Sequence, residues 1–190
     1  MKLLACPKCH QQLHLENKTL KCENNHCYDI SKRGYINLLL NPDKATNNPG
    51  DSKESLVARK AYLNKGYYDP ILNQVITCID EFKHQDDLSI LDLGCGEGYY
   101  TQGLKKHFES SDVYGLDISK IAIDMATRYR KDITWLVGNS KNIPILDHSL
   151  DFICALFTVV NQDELKRALK EDGYIIHVTA NNQHLIEIKE

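Results

Sequence analysis

The sequence predicts an α/β protein, a doubly wound, Rossmann-like parallel sheet preceded by a small zinc ribbon. Three observations predict it. From Asp69-Pro70 onward, strand-like runs alternate with helical ones, as in a parallel sheet covered by helices on both faces. The first of those strands ends in three alternating glycines, in LDLGCGEG at residues 91–98. Ahead of the sheet stand CPKC at 6–9 and CENNH at 22–26, cysteines at the spacing of metal knuckles.

Composition limits the alternatives. A chain of 190 residues is long enough for one core with a small appendage. No apolar stretch approaches the roughly 18 residues of a membrane span, and MKLLACPKC turns polar too soon for a signal peptide. A cytoplasmic protein without a membrane partner is therefore expected. Seven cysteines in such a compartment point to a metal or buried thiols rather than disulfides. Net charge is −3, but residues 1–65 carry +5 and the remainder −8. A basic front on an acidic body fits an anionic partner such as nucleic acid; an unevenly charged solvated surface is the plainer alternative.

The elements read in order. LHLE and TLKC flank Asn17-Lys18 as a hairpin turn. NPDKATNNPGDS (41–52), with two prolines, a glycine and three asparagines, reads as a linker. SKESLVARKAYLNKG reads as a helix capped by Asp51 or Ser52 and stopped by Gly66. Ile71, Val75 and Ile79, with Leu72 and Ile76, then stand at helical spacing. LSILDL, DVYGLD, ITWLV, DFICALF and YIIHVTA follow as five strands, interleaved with helices over 99–107, 120–129 and 162–171. The chain ends in HLIEIKE, an incipient helix, so the sheet is expected to be truncated after its fifth strand. The expected division is a ribbon over 1–40, a linker over 41–52 and a sheet domain over 53–190.

Open parallel sheets bind ligands beyond the carboxyl ends of their strands, where strand order switches, and Gly94, Gly96 and Gly98 stand at such an end. A phosphate-gripping P-loop would close with Gly-Lys-Ser/Thr, which is absent. A dinucleotide fingerprint would run G-x-G-x-x-G, whereas this stretch runs G-x-G-x-G into Tyr99-Tyr100. The third reading is S-adenosylmethionine, whose methionine part carries no phosphate. Asp92 is placed to face its ammonium group, and Asp92 with Glu97 would repel a pyrophosphate. The second strand ends in Asp117, an acid suited to ribose hydroxyls, and Asn139 after the third strand is placed for the adenine edge. A generic doubly wound domain with ordinary glycine turns is the alternative. It leaves the order of glycines, acid and amide at successive strand ends unexplained.

The knuckles combine as C-x2-C-x12-C-x3-H, giving Cys6, Cys9, Cys22 and His26 as four ligands for tetrahedral zinc. Cys27 directly follows His26 and competes for the fourth place. Four ligands leave no open coordination position, so the ion is expected to be structural. No helix-borne histidine pair follows, which favours a ribbon over a groove-reading finger.

Taken together, CPKC…CENNH, SKRGYINLLL, GDSKESLVARKAYLNKGYYDPI, ILDLGCGEGYYT, YGLDISKIAI and HLIEIK closely resemble the bacterial large-subunit ribosomal RNA guanine-N1-methyltransferases, from end to end of the chain. The resemblance implies a zinc ribbon that helps recognise ribosomal RNA, followed by an S-adenosylmethionine-dependent methyltransferase domain. It also implies cofactor contacts from Tyr68, Tyr100, Thr101 and His184. Members of this family continue well past the point where this chain ends, and their sheet has two further strands. They also tend to carry a proline after the fourth strand and another after the fifth, where this chain reads ALFTVVN and VTANNQHL.

The expected activity is methyl transfer to N1 of a guanine in large-subunit ribosomal RNA, with the methyl donor aligned mainly by positioning. No general base is evident. The Asn/Asp-Pro-Pro-aromatic motif of exocyclic-amine methyltransferases is absent, and Cys78, Cys95 and Cys154 read as core thiols rather than nucleophiles. Lys8, Lys18, Lys21, Lys32, Arg33 and Lys44 are candidate phosphate contacts. Two other readings stay open: a truncated, catalytically impaired paralogue acting as an RNA- or cofactor-binding module, and a small-molecule methyltransferase. A homodimer is left open too.

Overall fold

The computed structural model describes residues 1–40 and 51–181. The linker residues 41–50, with Lys44, and the terminal HLIEIKE, with His184, lie outside the described residues.

The N-terminal hairpin forms as the sequence predicts. Strands β1 (His14–Glu16) and β2 (Thr19–Lys21) pair antiparallel about Asn17, whose φ of 60° suits a tight turn. Strand β3 (Cys27–Asp29) adds to β2. A two-residue strand, β4 (Ile36–Asn37), then leaves this small sheet and pairs with the large one.

Helix α1 (Lys53–Leu63) starts at Ser52, whose hydroxyl accepts the Ser55 N–H. Helix α2 (Asp69–Phe82) follows, with Pro70 in its first turn and Val75 and Ile79 buried. Strand β5 (Ser89–Leu93), helix α3 (Tyr99–His107), strand β6 (Asp112–Asp117), helix α4 (Lys120–Ala126), strand β7 (Thr134–Val137), strand β8 (Leu150–Leu156), helix α5 (Gln162–Ala168) and strand β9 (Leu169–Val178) complete the chain. The large sheet has the order β4-β7-β6-β5-β8-β9, parallel throughout. Strand order reverses between β5 and β8, so the crevice lies beyond the carboxyl end of β5. Among the described residues no helix is long and apolar enough to cross a membrane.

Three expectations change. The helix predicted over 120–129 ends at Ala126, where the chain turns and the Thr127 hydroxyl donates to the Asp124 carbonyl. The helix predicted over 162–171 ends at Ala168, because Leu169 pairs with Leu150 and starts β9 five residues earlier than YIIHVTA implies. The five predicted strands are joined by a sixth, β4, drawn from the N-terminal segment.

The ribbon is fastened to the sheet by more than β4. The Ala5 N–H donates to the Pro144 carbonyl at 3.0 Å, Leu146 N–H to Leu3 at 2.9 Å, and the Asn142 side-chain amide to Pro7 at 2.9 Å. Leu4, Leu13 and Leu20 are buried in one apolar cluster with Leu91, Leu116 and Leu136 of the sheet. Such sharing compensates a module too small to fold on its own apolar residues.

Trp135 of β7 is fully buried beneath the glycine turn, its indole N–H donating to the Arg130 carbonyl at 3.2 Å. A Cβ on Gly98 or Gly115 would come within 2.5 or 2.6 Å of this ring, so glycine at both places makes room for the indole. Gly115→Ala is expected to destabilise the protein by about 1–3 kcal/mol through overpacking, read as a lowered denaturant midpoint at unchanged slope.

Candidate functional site

The turn after β5 is built from glycines in the left-handed region: Gly94, Gly96 and Gly98 have φ of 73°, 56° and 87°. Gly98 is the residue before α3 and faces inward onto Trp135. Gly96 is the open one, since nothing lies within 4 Å of a Cβ placed there. Gly94 is covered from the other side by Thr158, whose hydroxyl would lie 2.4 Å from an added Cβ. A side chain at 94 would therefore both strain the backbone and strike the loop after β8.

Three carboxyl groups surround this turn. Asp92 is buried on β5 and accepts the Thr101 hydroxyl of α3 at 2.5 Å. Burial, with the like charges of Asp117 and Glu97, pushes its carboxyl up to about 7 against the pull of that hydroxyl. Glu97, also buried, is raised mainly by burial, while Arg59 and Lys60 lower it. Asp117, at the end of β6, accepts the Gly96 N–H at 2.8 Å and the Ser119 N–H at 2.7 Å, and burial again raises it. The Gly96 bond clamps the glycine turn to the neighbouring strand.

Two adjoining cavities open here and share Gly94. The larger, about 320 Å³, is lined by Asp92, Gly96, Glu97 and Tyr100 together with Arg59, Tyr68 and Phe157. The smaller, about 120 Å³, is lined by Asp117, Ile118, Gly138, Asn139, Ser140 and Thr158. The structure thus brings Tyr68, Asp92, Gly94, Gly96 and Tyr100 to one cavity and Asp117 and Asn139 to the next. Thr101 is fully buried and lies behind the cavity wall, bonded to Asp92. Arg59, read from the sequence as lying next to the cofactor side and serving either RNA or structure, lines the larger cavity, as does Phe157, which the sequence reading did not place at the site because a single phenylalanine gives no pattern to find.

The site has the chemistry of a receptor for a cationic nucleoside. Three poorly solvated carboxyls favour a positive group, and among the described residues the buried Tyr100 Oη finds no hydrogen-bond partner. S-adenosylmethionine, with its sulfonium, ammonium, ribose and adenine, fits this donor and acceptor set; a pyrophosphate does not.

In the ribbon, the ligand atoms of Cys6, Cys9, Cys22 and His26 all lie within 4.8 Å of one another. Cys9 and Cys22 sulfurs are 3.7 Å apart, and His26 Nδ1 lies 3.4 to 3.5 Å from the three sulfurs. A tetrahedron with zinc–sulfur bonds of about 2.3 Å has edges of roughly this length. The Tyr28 hydroxyl, 3.3 Å from the Cys6 sulfur, adds an outer-shell contact. Cys27 is exposed, its thiol turned to the Asn25 carbonyl, and it is His26 that clusters with the three sulfurs. Of the basic residues, Lys8, Lys18 and Lys32 are exposed, whereas Arg33 pairs with Asp124 of α4 at 2.8 Å.

The methyltransferase domain family model matches residues 90–173, and the RlmA N-terminal zinc-ribbon model matches residues 4–45. A 23S rRNA (guanine(748)-N(1))-methyltransferase of Streptomyces fradiae is 29% identical over 99% of this chain and 67% of its own. YxjB of Bacillus subtilis (strain 168), assigned provisionally by name to the 23S rRNA (guanine-N(1)-)-methyltransferases, is 30% identical over 99% of this chain and 68% of its own. Among solved structures, a TehB-like SAM-dependent methyltransferase from Corynebacterium glutamicum superposes with a TM-score of 0.51 at 26% identity, covering 65% of this chain and 70% of that one.

Two outcomes are expected. His26→Ala should abolish stoichiometric zinc, measured by elemental analysis, and lower the thermal midpoint, whereas Cys27→Ser should retain one zinc per chain. For Asp92, the folded protein holds the proton up to about pH 7, while the unfolded chain releases it near pH 4. Between those values the folded state binds more protons, so stability falls as pH rises through that window. Asp92→Asn should therefore raise the thermal midpoint by several degrees at pH 8, with the gain vanishing by about pH 4, while methyl-donor affinity measured by calorimetry falls at least tenfold.

Proposed function

The chain belongs to the 23S rRNA guanine-N1-methyltransferase family and is an S-adenosylmethionine-dependent methyltransferase carrying a zinc ribbon; we propose that its methyl acceptor is N1 of a guanine in large-subunit ribosomal RNA. The observation that carries this reading is the ribbon built directly onto the pocket-bearing sheet. A methyltransferase acting on a small molecule needs no such module, and relatives matched across 99% of the chain are named for this reaction.

The proposed division of labour follows the two cavities. Tyr68, Asp92, Gly94, Gly96, Tyr100 and Arg59 hold the methionine half of the methyl donor, with Asp92 opposite the ammonium and Arg59 available to the carboxylate. Thr101 orients Asp92. Asp117 takes the ribose hydroxyls and Asn139 the adenine edge, while Gly98 shapes the turn from beneath. His184, outside the described residues, remains assigned by resemblance alone. When bound, S-adenosylmethionine supplies an electrophilic methyl group. This chain orients it, excludes water and presents the acceptor nitrogen in line.

Residues 1–40 would be the RNA-recognition module and 53–190 the methyltransferase domain, joined by 41–52. The exposed Lys8, Lys18 and Lys32 would meet phosphates in a cytoplasmic setting. Arg33, engaged with Asp124, contributes less.

Incubation with radiolabelled S-adenosylmethionine and unmodified 23S ribosomal RNA should label the RNA, with 1-methylguanosine recovered on nucleoside digestion. Calorimetric binding of the donor without any RNA labelling would instead favour a non-catalytic binding module. Labelling of small molecules alone would remove the RNA assignment.

A further inference from the structure

At the outer end of the larger cavity four aromatic rings adjoin one another. Tyr62 lies 5.1 Å from Tyr67 and 6.0 Å from Tyr68, and Tyr68 lies 6.1 Å from Phe157, centroid to centroid. Tyr68 and Phe157 meet edge to face. Tyr62, Tyr67 and Phe157 are 49%, 61% and 47% exposed, so the grouping is not explained by core burial. Tyr62, Tyr68 and Phe157 also line the cavity that holds Asp92, Gly96 and Glu97.

Phe157 is held there against its own preference. Its φ of 56° lies in the left-handed region, an outlier for a bulky side chain. Neighbours on both sides enforce it. Its N–H donates to the Val178 carbonyl of β9 at 2.9 Å, and the next residue, Thr158, is pressed onto Gly94. With this conformation an exposed ring follows β8 directly and lines the cavity. Strain maintained in this way marks a functional position.

The chemistry of the two ends differs. The floor carries Asp92 and Glu97 and suits the cationic methyl donor, while Tyr62, Tyr68 and Phe157 give the cavity ring faces that suit a flat neutral group. We propose that Phe157, supported by Tyr62, Tyr67 and Tyr68, is a stacking platform that receives the unpaired target nucleobase of the RNA. The proposal rests on the RNA-methyltransferase reading and supplies the base-holding residue that the sequence motifs lack. Phe157 is a positioning residue: it stacks the base, and the floor of the cavity presents the methyl donor. A base attacked at N1 has to leave its stack, and an aromatic face replaces the stacking it loses.

The test uses the full chain and three variants, Phe157→Ala, Phe157→Trp and Tyr67→Ala. Affinity for S-adenosylhomocysteine is measured by calorimetry, base contact by saturation transfer from protein to H8 of guanosine monophosphate with S-adenosylhomocysteine present, and kcat/KM on unmodified 23S ribosomal RNA. Phe157→Ala is expected to lower kcat/KM roughly 5- to 100-fold, the range of one aromatic–base stack, and to extinguish the H8 signal. Phe157→Trp should retain both, and S-adenosylhomocysteine affinity should stay within about twofold in every variant. Tyr67→Ala, altering a ring already exposed, should show a smaller loss in the same direction and covers the case in which Phe157→Ala does not fold. Unchanged H8 transfer and kcat/KM in Phe157→Ala, or an equal loss of S-adenosylhomocysteine affinity, would overturn the platform. A wild-type protein that gives the H8 signal through Phe157 but labels no ribosomal RNA would instead overturn the ribosomal reading and leave the platform standing.

Discussion

Removing a carboxylate from water costs several kcal/mol unless something replaces the solvent, and this protein places three around a single backbone turn. Asp117 is compensated by two backbone N–H groups, and Asp92 by one hydroxyl. Glu97 is offset in part by Arg59 and Lys60, and the three carboxyls surround Gly96, where nothing described lies within 4 Å of an added Cβ. The rest of the architecture maintains that arrangement. Trp135 fills the space under the turn, α3 carries Thr101 to Asp92, and β6 delivers Asp117 across from β5. Burying these carboxyls costs the folded state, an exchange of stability for function that is common at binding sites.

The walls of the site come from distant parts of the chain. Arg59, Tyr62 and Tyr68 arrive from the helical segment before the sheet, and the Tyr99 hydroxyl ties the start of α3 to Asp69 at the start of α2. Phe157 and Thr158 arrive from the loop after β8, and Thr158 rests on Gly94. Gly94 is thus the point at which the strand-end turn and the two cavities meet. Binding on either side bears on the same few backbone atoms.

Much of this was legible because it is written in local pattern. Helix 99–107 follows a left-handed glycine and runs as read, and β5 to β8 are the largely buried runs that a sheet covered on both faces requires, whereas β9 is largely exposed. The four metal ligands follow from spacing, although only the geometry separates His26 from Cys27. What escaped depends on distant partners. Ile36–Asn37 is too short to show a period, and it is a strand only because β7 offers an unpaired edge. Residues 169–171 continue a helical pattern but are taken by pairing with β8. Phe157 carries no motif; its backbone conformation, invisible in a string of letters, distinguishes it from any other strand-end aromatic.

Ile36–Asn37 also makes the molecule a caliper. Through β4 and β7, and through Ala5, Leu3 and Pro7 gripping residues 142–146, the metal-bearing jaw and the glycine-turn jaw belong to one continuous lattice of backbone bonds. These bonds hold the ribbon against the sheet on the side of β7. On the proposed reading, the nucleotide presented for modification is chosen by its distance from the grip, so selectivity along the RNA is a property of length as much as of letters.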